Sequence, residues 1–354
     1  MPASTENESL IIESVPSIES IWQEWSELAE RADNLFLTPE WASIWWQHFG
    51  QGHKLRLSTC RNESRDLVAI FPLYYWRRWP IRVLRFIGHG PGDELGPVVA
   101  PDDQRIAAAE LLRTLERERY DVLLAEQLPG LGEWSSLLPG NRILSQGDSP
   151  VVRFDYTDWD EYLRSRSQKL RRNMRHQERD LLDSFRVCFR LADDRERLGV
   201  DLDTFFRLHR EQWREVPTDF DGRANAFQRE FISAAFERGW LRLWFLELDG
   251  RPVAAALLYR FAGVEYCYRF ARDHAWDHLS VGSVVLIHSL RAALEDGMRE
   301  FRFLRGGESY KARYTTDNRG LESVGLARGP IGQAALLGVE RYLSIRRRLR
   351  ARSE

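Results

Sequence analysis

The spacing of apolar and polar residues predicts two successive regions of mixed α/β structure. In the first, the apolar run LIIESV precedes two helices, IESIWQEWSELAERA and PEWASIWWQHF, the second capped by Thr38 and begun by Pro39. Two strands follow, KLRLSTCR and DLVAIFPLYYW, then a strand ending in the loop GHGPGD, an amphipathic helix and the buried strand DVLLAEQLPG. The turn-rich stretch from Pro129 to Pro150 is predicted to be a linker.

The second half repeats this order. A long basic helix, with a capping box at Thr157 and Asp160, leads into a strand and two more helices. Three antiparallel strands follow, with hairpin turns at Asp249-Gly250 and Ala262-Gly263, and then a loop, a helix ended by Gly297 and a last strand. We therefore expect an α/β (α+β) protein with mostly antiparallel sheets flanked by helices, divided into domains 8–150 and 151–328 and a basic C-terminal helix 329–354.

Composition narrows the function classes. The formal charge of -2, from 51 basic and 53 acidic residues, leaves no overall field that would hold duplex DNA. Three cysteines cannot build a disulfide framework, and the polar, acidic N-terminal segment does not resemble a secretory signal. No apolar stretch reaches the length of a membrane span. These features predict a cytoplasmic protein without a membrane span.

The loop that enters the last long helix carries the first candidate site, Ser280, Gly282 and Ser283. Backbone amides at a helix N-terminus favour phosphate, and a glycine there permits close approach of a ligand. The same three residues also fit an ordinary helix cap with a turn glycine, so spacing alone leaves both interpretations open.

The segments LELDGRPVAAALLYRF, LSVGSVVLIHSLRAALEDG and FRFLRGGESYKARY resemble the GNAT superfamily of acyltransferases, in its FemAB-like, cellulose-biosynthesis CelD-type branch. The resemblance is strong over 157–319 and extends to the first half through NLFLTPEWASIWWQHFG and VLRFIGHGPGDELGPVV. It implies two tandem GNAT-like domains, the second of which holds the acyl donor. The phosphate loop departs from the usual family pattern, reading Leu279-Ser280-Val281-Gly282-Ser283.

The resemblance further implies transfer of an acyl group, acetyl foremost, from acetyl-CoA or another acyl-CoA to the primary amine of a small molecule or glycan, in cell-envelope or exopolysaccharide metabolism. Two alternatives stay open. One is FemAB-like transfer from aminoacyl-tRNA, which the near-neutral charge disfavours. The other is a non-catalytic assembly factor that docks on a partner or, weakly, on a membrane surface through the arginine-rich tail RYLSIRRRLRAR.

Four residues are candidates for the chemistry. Of the 51 basic residues only Lys54, Lys169 and Lys311 are lysines, and a compact ammonium at Lys311 suits a developing oxyanion. Chance retention on a solvated loop would explain Lys311 equally well. Glu308 and Tyr310 in the same loop, and Glu265 on the polar side of a strand, are candidates for proton transfer.

Candidates for acceptor binding are Asp93 in the loop GHGPGD, and His209 and Trp213, which lie four residues apart on one helix. Core packing and capping would explain His209 and Trp213 as well. His274, Asp277 and His278 are grouped closely enough to mimic a metal cluster, but without further ligands we expect loop hydrogen bonds and no metal. The basic residues along the helix after Thr157 surround it, which is typical of a solvated surface, with binding of an anionic acceptor or tRNA as the alternative.

Overall fold

The computed structural model describes residues 10–77, 79–213 and 222–350, which fold into two units. Unit 1 takes 10–148 and 319–350, and unit 2 takes 149–318. Among the described residues, no helix is both long enough and apolar enough to cross a lipid bilayer.

Unit 1 begins as predicted, with the Thr38 hydroxyl accepting a hydrogen bond from the Trp41 amide at the start of the second helix. The predicted linker, however, contains a short helix and a strand. In chain order the elements are β1 (Ile11–Val15), α1 (Trp22–Arg31), α2 (Pro39–Phe49), β2 (Lys54–Arg61), β3 (Leu67–Arg77), β4 (Arg82–Phe86), β5 (Val98–Val99), α3 (Gln104–Arg117), β6 (Val122–Pro129), α4 (Glu133–Leu137) and β7 (Arg142–Gly147).

Unit 2 contains the predicted three-strand meander, and both hairpin turns have the left-handed backbone that their Asp-Gly and Ala-Gly pairs indicate. Its elements are β8 (Pro150–Arg153), α5 (Trp159–Arg164), α6 (Gln168–Ser184), β9 (Val187–Leu191), α7 (Leu198–Gln212), α8 (Gly222–Glu237), β10 (Leu241–Leu248), β11 (Arg251–Phe261), β12 (Val264–Arg272), α9 (Val281–Glu295), β13 (Glu300–Arg302) and β14 (Asp317–Asn318).

The basic helix predicted after Thr157 is in fact two helices. The Ser167 hydroxyl accepts a hydrogen bond from the Leu170 amide and starts α6 as a separate helix. The predicted capping box is also displaced, because Asp158 caps α5 by accepting from the Glu161 amide at 2.8 Å. Serine and aspartate side chains can accept hydrogen bonds from backbone amides and so begin a new helix. Here they divide the single helix that the spacing of apolar residues predicts.

After unit 2 the chain returns to unit 1 as β15 (Leu321–Ala327) and α10 (Gly329–Arg350). Strand β15 pairs with β6 on one side and β7 on the other. Residues 319–328 were predicted to belong to the second domain, whereas in the structure they belong to unit 1, where β15 pairs in the sheet. The buried face of α10 packs on that sheet through Leu336.

The two units repeat one order of elements: a strand, two helices, a three-strand antiparallel meander, a helix and a strand parallel to the end of the meander. In unit 1 the closing pair is β4 with β6, and in unit 2 it is β12 with β13. Within the described residues the sheet of unit 1 has eight strands and that of unit 2 has seven, ordered β14-β8-β13-β12-β11-β10-β9. The predicted mixed α/β class is confirmed.

Helices cover both faces of the sheet in unit 2. Helices α6 and α9 pack with Cys267 on one face, while Phe231 and Gln228 of α8 contact Tyr259 and Tyr268 on the other. A β-bulge opposite Leu257 and Leu258 adds one residue to β12. Simple alternation would group Phe270 with Tyr266 and Tyr268, but the bulge moves Phe270 to the α9 face.

Glu322 of β15 fastens the returning strand to unit 1. Its buried carboxylate accepts hydrogen bonds from the Gly132 and Ser135 amides and the Ser135 hydroxyl, at 3.1, 2.8 and 2.8 Å. We expect Glu322→Ala to lower the free energy of unfolding by about 2 kcal/mol, because buried donors then lack an acceptor. Urea unfolding measures this, with the exposed Glu116→Ala as the matched control. Equal midpoints for the two variants would contradict the assignment.

Candidate functional site

Strands β12 and β13 are paired over three residues each and then separate. The parallel register joins Val264–Tyr266 to Glu300–Arg302. Beyond it the Phe303 amide donates to the Pro150 carbonyl, and Leu304 turns the chain with a φ of 59°. Strand β12 meanwhile continues to Arg272 beside β11. A gap therefore opens between the carboxyl ends of two neighbouring strands, at the end of the sheet where α9 begins.

The N-terminus of α9 is open at this end. Ser280 precedes it in the left-handed region, with a φ of 55°, and its side chain makes no capping hydrogen bond. The Ser283 amide already donates to the Ser280 carbonyl at 2.9 Å. The amides of Val281 and Gly282, the first two residues of α9, have no partner within the helix, so these two can donate to an anion. Gly282 has an ordinary helical backbone, and an added Cβ would lie 3.4 Å from the Arg272 Cδ. The left-handed backbone typical of a turn glycine is found instead at Ser280.

Arg272 supplies positive charge beside this helix start. Its Nε donates to Asp277 at 2.6 Å, and Asp277 also lies 2.8 Å from the Nδ1 of His274. Partial burial alone would raise the pKa of Asp277, but the hydrogen bonds from His274 and Arg272 lower it below its ordinary value. The other ring nitrogen of His274 lies 3.2 Å from the Gln212 carbonyl. This is the loop hydrogen bonding predicted for the histidine cluster.

Ser283 connects the helix start to two other elements. Its hydroxyl donates to the Gln177 side chain of α6 at 3.3 Å and lies 3.1 Å from the Tyr314 hydroxyl. Tyr314 is held in turn, because its carbonyl accepts from the Tyr162 hydroxyl at 2.8 Å. Ser283, one of the residues predicted to bind the acyl donor, is therefore in contact with the segment that follows β13.

Lys311 lies in a 3-10 turn, with its ammonium buried under the segment that follows β13. The Nζ lies 3.2, 3.1 and 3.2 Å from the carbonyl oxygens of Phe303, Arg305 and Gly306. It also lies 2.8 Å from a carboxylate oxygen of Glu308. An ammonium has three donors, and four acceptors already surround this one. Lys311 is thus not retained by chance on a solvated loop, because it is buried. Its ammonium holds the carbonyls of the loop and does not point toward a position where an oxyanion would form.

The pKa values of Glu308 and Tyr310 are shifted in opposite directions. Burial opposes ionisation of Glu308, but the hydrogen bond and charge of Lys311 outweigh it and hold the pKa of Glu308 below its usual value. Burial, with a smaller contribution from Cys267 and Glu308, raises the pKa of the Tyr310 phenol. Glu308 is therefore a weak base, and Tyr310 stays protonated and can donate.

Glu265 lies at the opposite end of β12. Burial raises its pKa to about 6 against the opposing effect of Arg260, whose Nε donates to it at 2.8 Å. Arg260 also bonds Asp296, just after the last residue of α9. Arg272 is seven positions after Glu265 along the strand, about 23 Å away at the usual rise. The structure does not bring Glu265 together with the donor residues.

The three acceptor candidates lie in different surroundings. Trp213 ends α7 and is 44% exposed, and the contact of His274 with Gln212 puts this end of α7 beside the loop into α9. His209 is buried one turn earlier, its ring centroid 6.5 Å from that of Trp213. Asp93 belongs to unit 1, where its side chain is buried. Its assignment to an acceptor stays a prediction.

Sequence reasoning missed Arg272 and Tyr314. Arg272 is the last residue of β12, and a cation that ends a strand just before a helix-entry loop is a usable signal for an anion site. Tyr314 has no comparable signal, because its role depends on a contact with Ser283 across 31 positions of sequence. Among the described residues, no group of three metal-binding side chains is present.

Comparisons with known proteins bear on this geometry. Residues 168–312 match the model of an acetyltransferase (GNAT) domain. No curated protein matches the sequence significantly. Among solved structures, FemX is similar at 12% identity with a TM-score of 0.66, over 93% of this chain and 100% of that chain. L-PGS from Bacillus licheniformis is similar at 15% identity with a TM-score of 0.57, over 91% and 96% of the two chains.

The family match spans α6 to the Lys311 turn, and thus contains the open N-terminus of α9 and the parting strands. The likeness to FemX extends over both units and shows a shared fold. Residues 168–312 are therefore similar to an acetyltransferase (GNAT) domain, within a fold that the chain shares with FemX.

Proposed function

We propose that this protein transfers an acyl group, acetyl foremost, from acyl-coenzyme A to a primary amine. The observation that carries the proposal is the open N-terminus of α9 beside the gap between β12 and β13. The pyrophosphate of the donor would accept hydrogen bonds from the first-turn amides, with Arg272 as the nearby cation. The acyl arm would extend along the gap, where strand edges offer backbone hydrogen bonds.

The transfer needs no covalent enzyme intermediate. The amine nitrogen attacks the thioester carbonyl, the C–N bond forms, the C–S bond breaks, and the amine loses one proton while the thiolate gains one. Holding donor and acceptor in attack geometry supplies much of the rate enhancement. Tyr310, whose phenol stays protonated, is the proposed donor of a proton to the leaving sulfur.

Neither carboxylate candidate suits removal of the amine proton. Glu308 is held by Lys311 as a weak base, and Glu265 is ion-paired at the far end of β12. We therefore assign that proton to a water relay. Lys311 becomes a positioning residue, which keeps the carbonyls and amides of the loop in place around the gap.

We propose that the acceptor amine binds beside Trp213. Trp213 is exposed at the end of α7 next to the loop into α9, which suits stacking on a sugar or an apolar amine. A glycan or small-molecule amine of envelope or exopolysaccharide metabolism fits such a surface. His209, one helical turn away, supports the Trp213 ring.

One observation favours aminoacyl-tRNA as a second candidate donor. Arg166 and Arg171 are occupied by backbone carbonyls, but Lys169, Arg172, Arg175 and Arg179 are exposed on α6, the helix that contacts Ser283 through Gln177. A phosphate chain leading to the α9 N-terminus would meet this surface. The carboxylates of Glu178, Asp180 and Asp183 on the same helix reduce its net positive charge. We therefore favour acyl-CoA over aminoacyl-tRNA as the acyl donor.

Ligand-dependent melting separates the two donors. At about a hundredfold excess over its dissociation constant, a ligand of the folded state stabilises it by roughly 2.7 kcal/mol. We expect acetyl-CoA to raise Tm at both low and moderate salt, and tRNA to give a small shift that salt removes. A salt-resistant shift with tRNA beside none with short or long acyl-CoAs would reverse the assignment. No shift with any donor would favour a non-catalytic scaffold.

Gly282→Val tests the donor site. The two added methyl groups reach into the space beside Arg272 and the first-turn amides, so we expect the affinity for acetyl-CoA to fall at least about tenfold by calorimetry. Gly199→Val is the matched control, since Gly199 is likewise the second residue of a helix and has open space around it. Unchanged binding by a folded Gly282→Val would remove Gly282 from the site.

Lys311→Met tests the positioning role. Loss of the ammonium leaves three carbonyls without a donor, and we expect the free energy of unfolding to fall by about 2–3 kcal/mol. The exposed Lys169→Met in the same unit should stay within about 0.5 kcal/mol of wild type. Unchanged stability with a roughly hundredfold loss of thiol release from acetyl-CoA, in a screen of amines, would instead place the ammonium on the reacting carbonyl.

A further inference from the structure

Helix α10 has two apolar faces, one packed on the sheet of unit 1 and one largely exposed. Leu336, Val339 and Leu343 pack on the sheet of unit 1. On another side of the helix Ile331, Tyr342 and Ile345 are 64%, 57% and 58% exposed. Their spacings of eleven and three residues place these three side chains along one stripe, because eleven residues are close to three helical turns. The stripe, Ile331, Tyr342 and Ile345, faces solvent.

The helix that carries this stripe is strongly cationic. Its sequence contains five arginines and a single carboxylate, Glu340. That carboxylate is engaged by Arg142 of β7 at 3.2 Å. Arg341 is exposed directly beside Tyr342. A solvent-facing apolar stripe on a helix of arginine-rich sequence is typical of helices that lie in a lipid–water interface.

A second exposed aromatic residue belongs to the same part of unit 1. Trp79, in the turn between β3 and β4, is 95% exposed. Ile81 of that turn packs against the cluster of Val83, Val122 and Leu336 beneath α10. Arg77 and Arg82 end the two strands at the turn. The turn and α10 therefore border one apolar cluster. Each carries an exposed apolar side chain and, close to it in sequence, an exposed arginine, Arg82 at the turn and Arg341 on α10.

We propose that this surface, defined by the stripe on α10 and by Trp79, binds an anionic lipid bilayer peripherally. Indole and phenol rings are favoured at the headgroup level, and arginines attract anionic headgroups. Charge complementarity selects this occupant over a second copy of the chain. A symmetric contact between two copies would bring together two helices of the same positive charge, since the sequence of each contains five arginines and one carboxylate.

Vesicle flotation of the full chain tests the proposal. We expect binding to vesicles of phosphatidylcholine with phosphatidylglycerol, little binding to phosphatidylcholine alone, and weakening by salt. Trp79→Ser combined with Ile345→Ser should lower the apparent affinity at least about tenfold, since two apolar side chains no longer enter the interface. The matched control combines Trp213→Ser with Val200→Ser, which removes an exposed tryptophan and an exposed aliphatic residue from unit 2.

Three results would overturn the proposal: no flotation of the folded wild type with the anionic vesicles, equal flotation with both kinds of vesicle, or equal losses for the two double variants. Light scattering of the same samples covers the competing occupant. A dimer that the Trp79/Ile345 variant abolishes would assign the surface to a second copy, and a monomer that binds anionic vesicles supports the lipid assignment.

Discussion

A single buried ammonium determines the shape of the candidate site. After β13 the chain leaves its parallel partner, and the carbonyls of Phe303, Arg305 and Gly306 turn toward the Nζ of Lys311. Without the ammonium, these three carbonyls would need other hydrogen-bond donors, such as water or the backbone amides of β12. The segment after β13 would then not be held away from β12. Because the ammonium gathers them, the gap beside β12 stays open while Tyr314 reaches Ser283 at the start of α9. The conformation of the segment after β13, the gap beside β12 and the contact with the start of α9 thus all depend on the Lys311 ammonium.

The two units use the same succession of elements, yet the crossing helix begins differently in each. Helix α3 of unit 1 starts behind Pro101, Asp102 and Asp103, so carboxylates lie at its N-terminus. Helix α9 of unit 2 starts behind an uncapped Ser280, with Arg272 alongside. Carboxylates satisfy a helix N-terminus locally and repel phosphate, whereas an arginine attracts it. This difference favours the second unit for the proposed anion site, where Arg272, paired with Asp277, adds a cation beside the helix start.

Most of the fold could be predicted because its signals are local. The Asp249-Gly250 hairpin, the Thr38 cap and the apolar spacing of α9 each depend on neighbours within a few positions. The pairing of β15 with β6 could not, since it joins segments nearly two hundred residues apart. At the site, Ser280, Gly282 and Ser283 were recognisable from a helix entrance, but the partners of Lys311 are backbone carbonyls, which no residue pattern encodes. The bulge at Tyr268, which moves Phe270 to another face, is likewise invisible to simple alternation.

The return of the chain to unit 1 has a consequence for biosynthesis. All strands of unit 2 are synthesised before β15. During that time the sheet of unit 1 lacks the strand between β6 and β7, so the edges of both strands are unpaired. Exposed strand edges of this kind are sites of wrong pairing. The sheet of unit 1 is therefore completed only after unit 2 has been made, when β15 enters between β6 and β7.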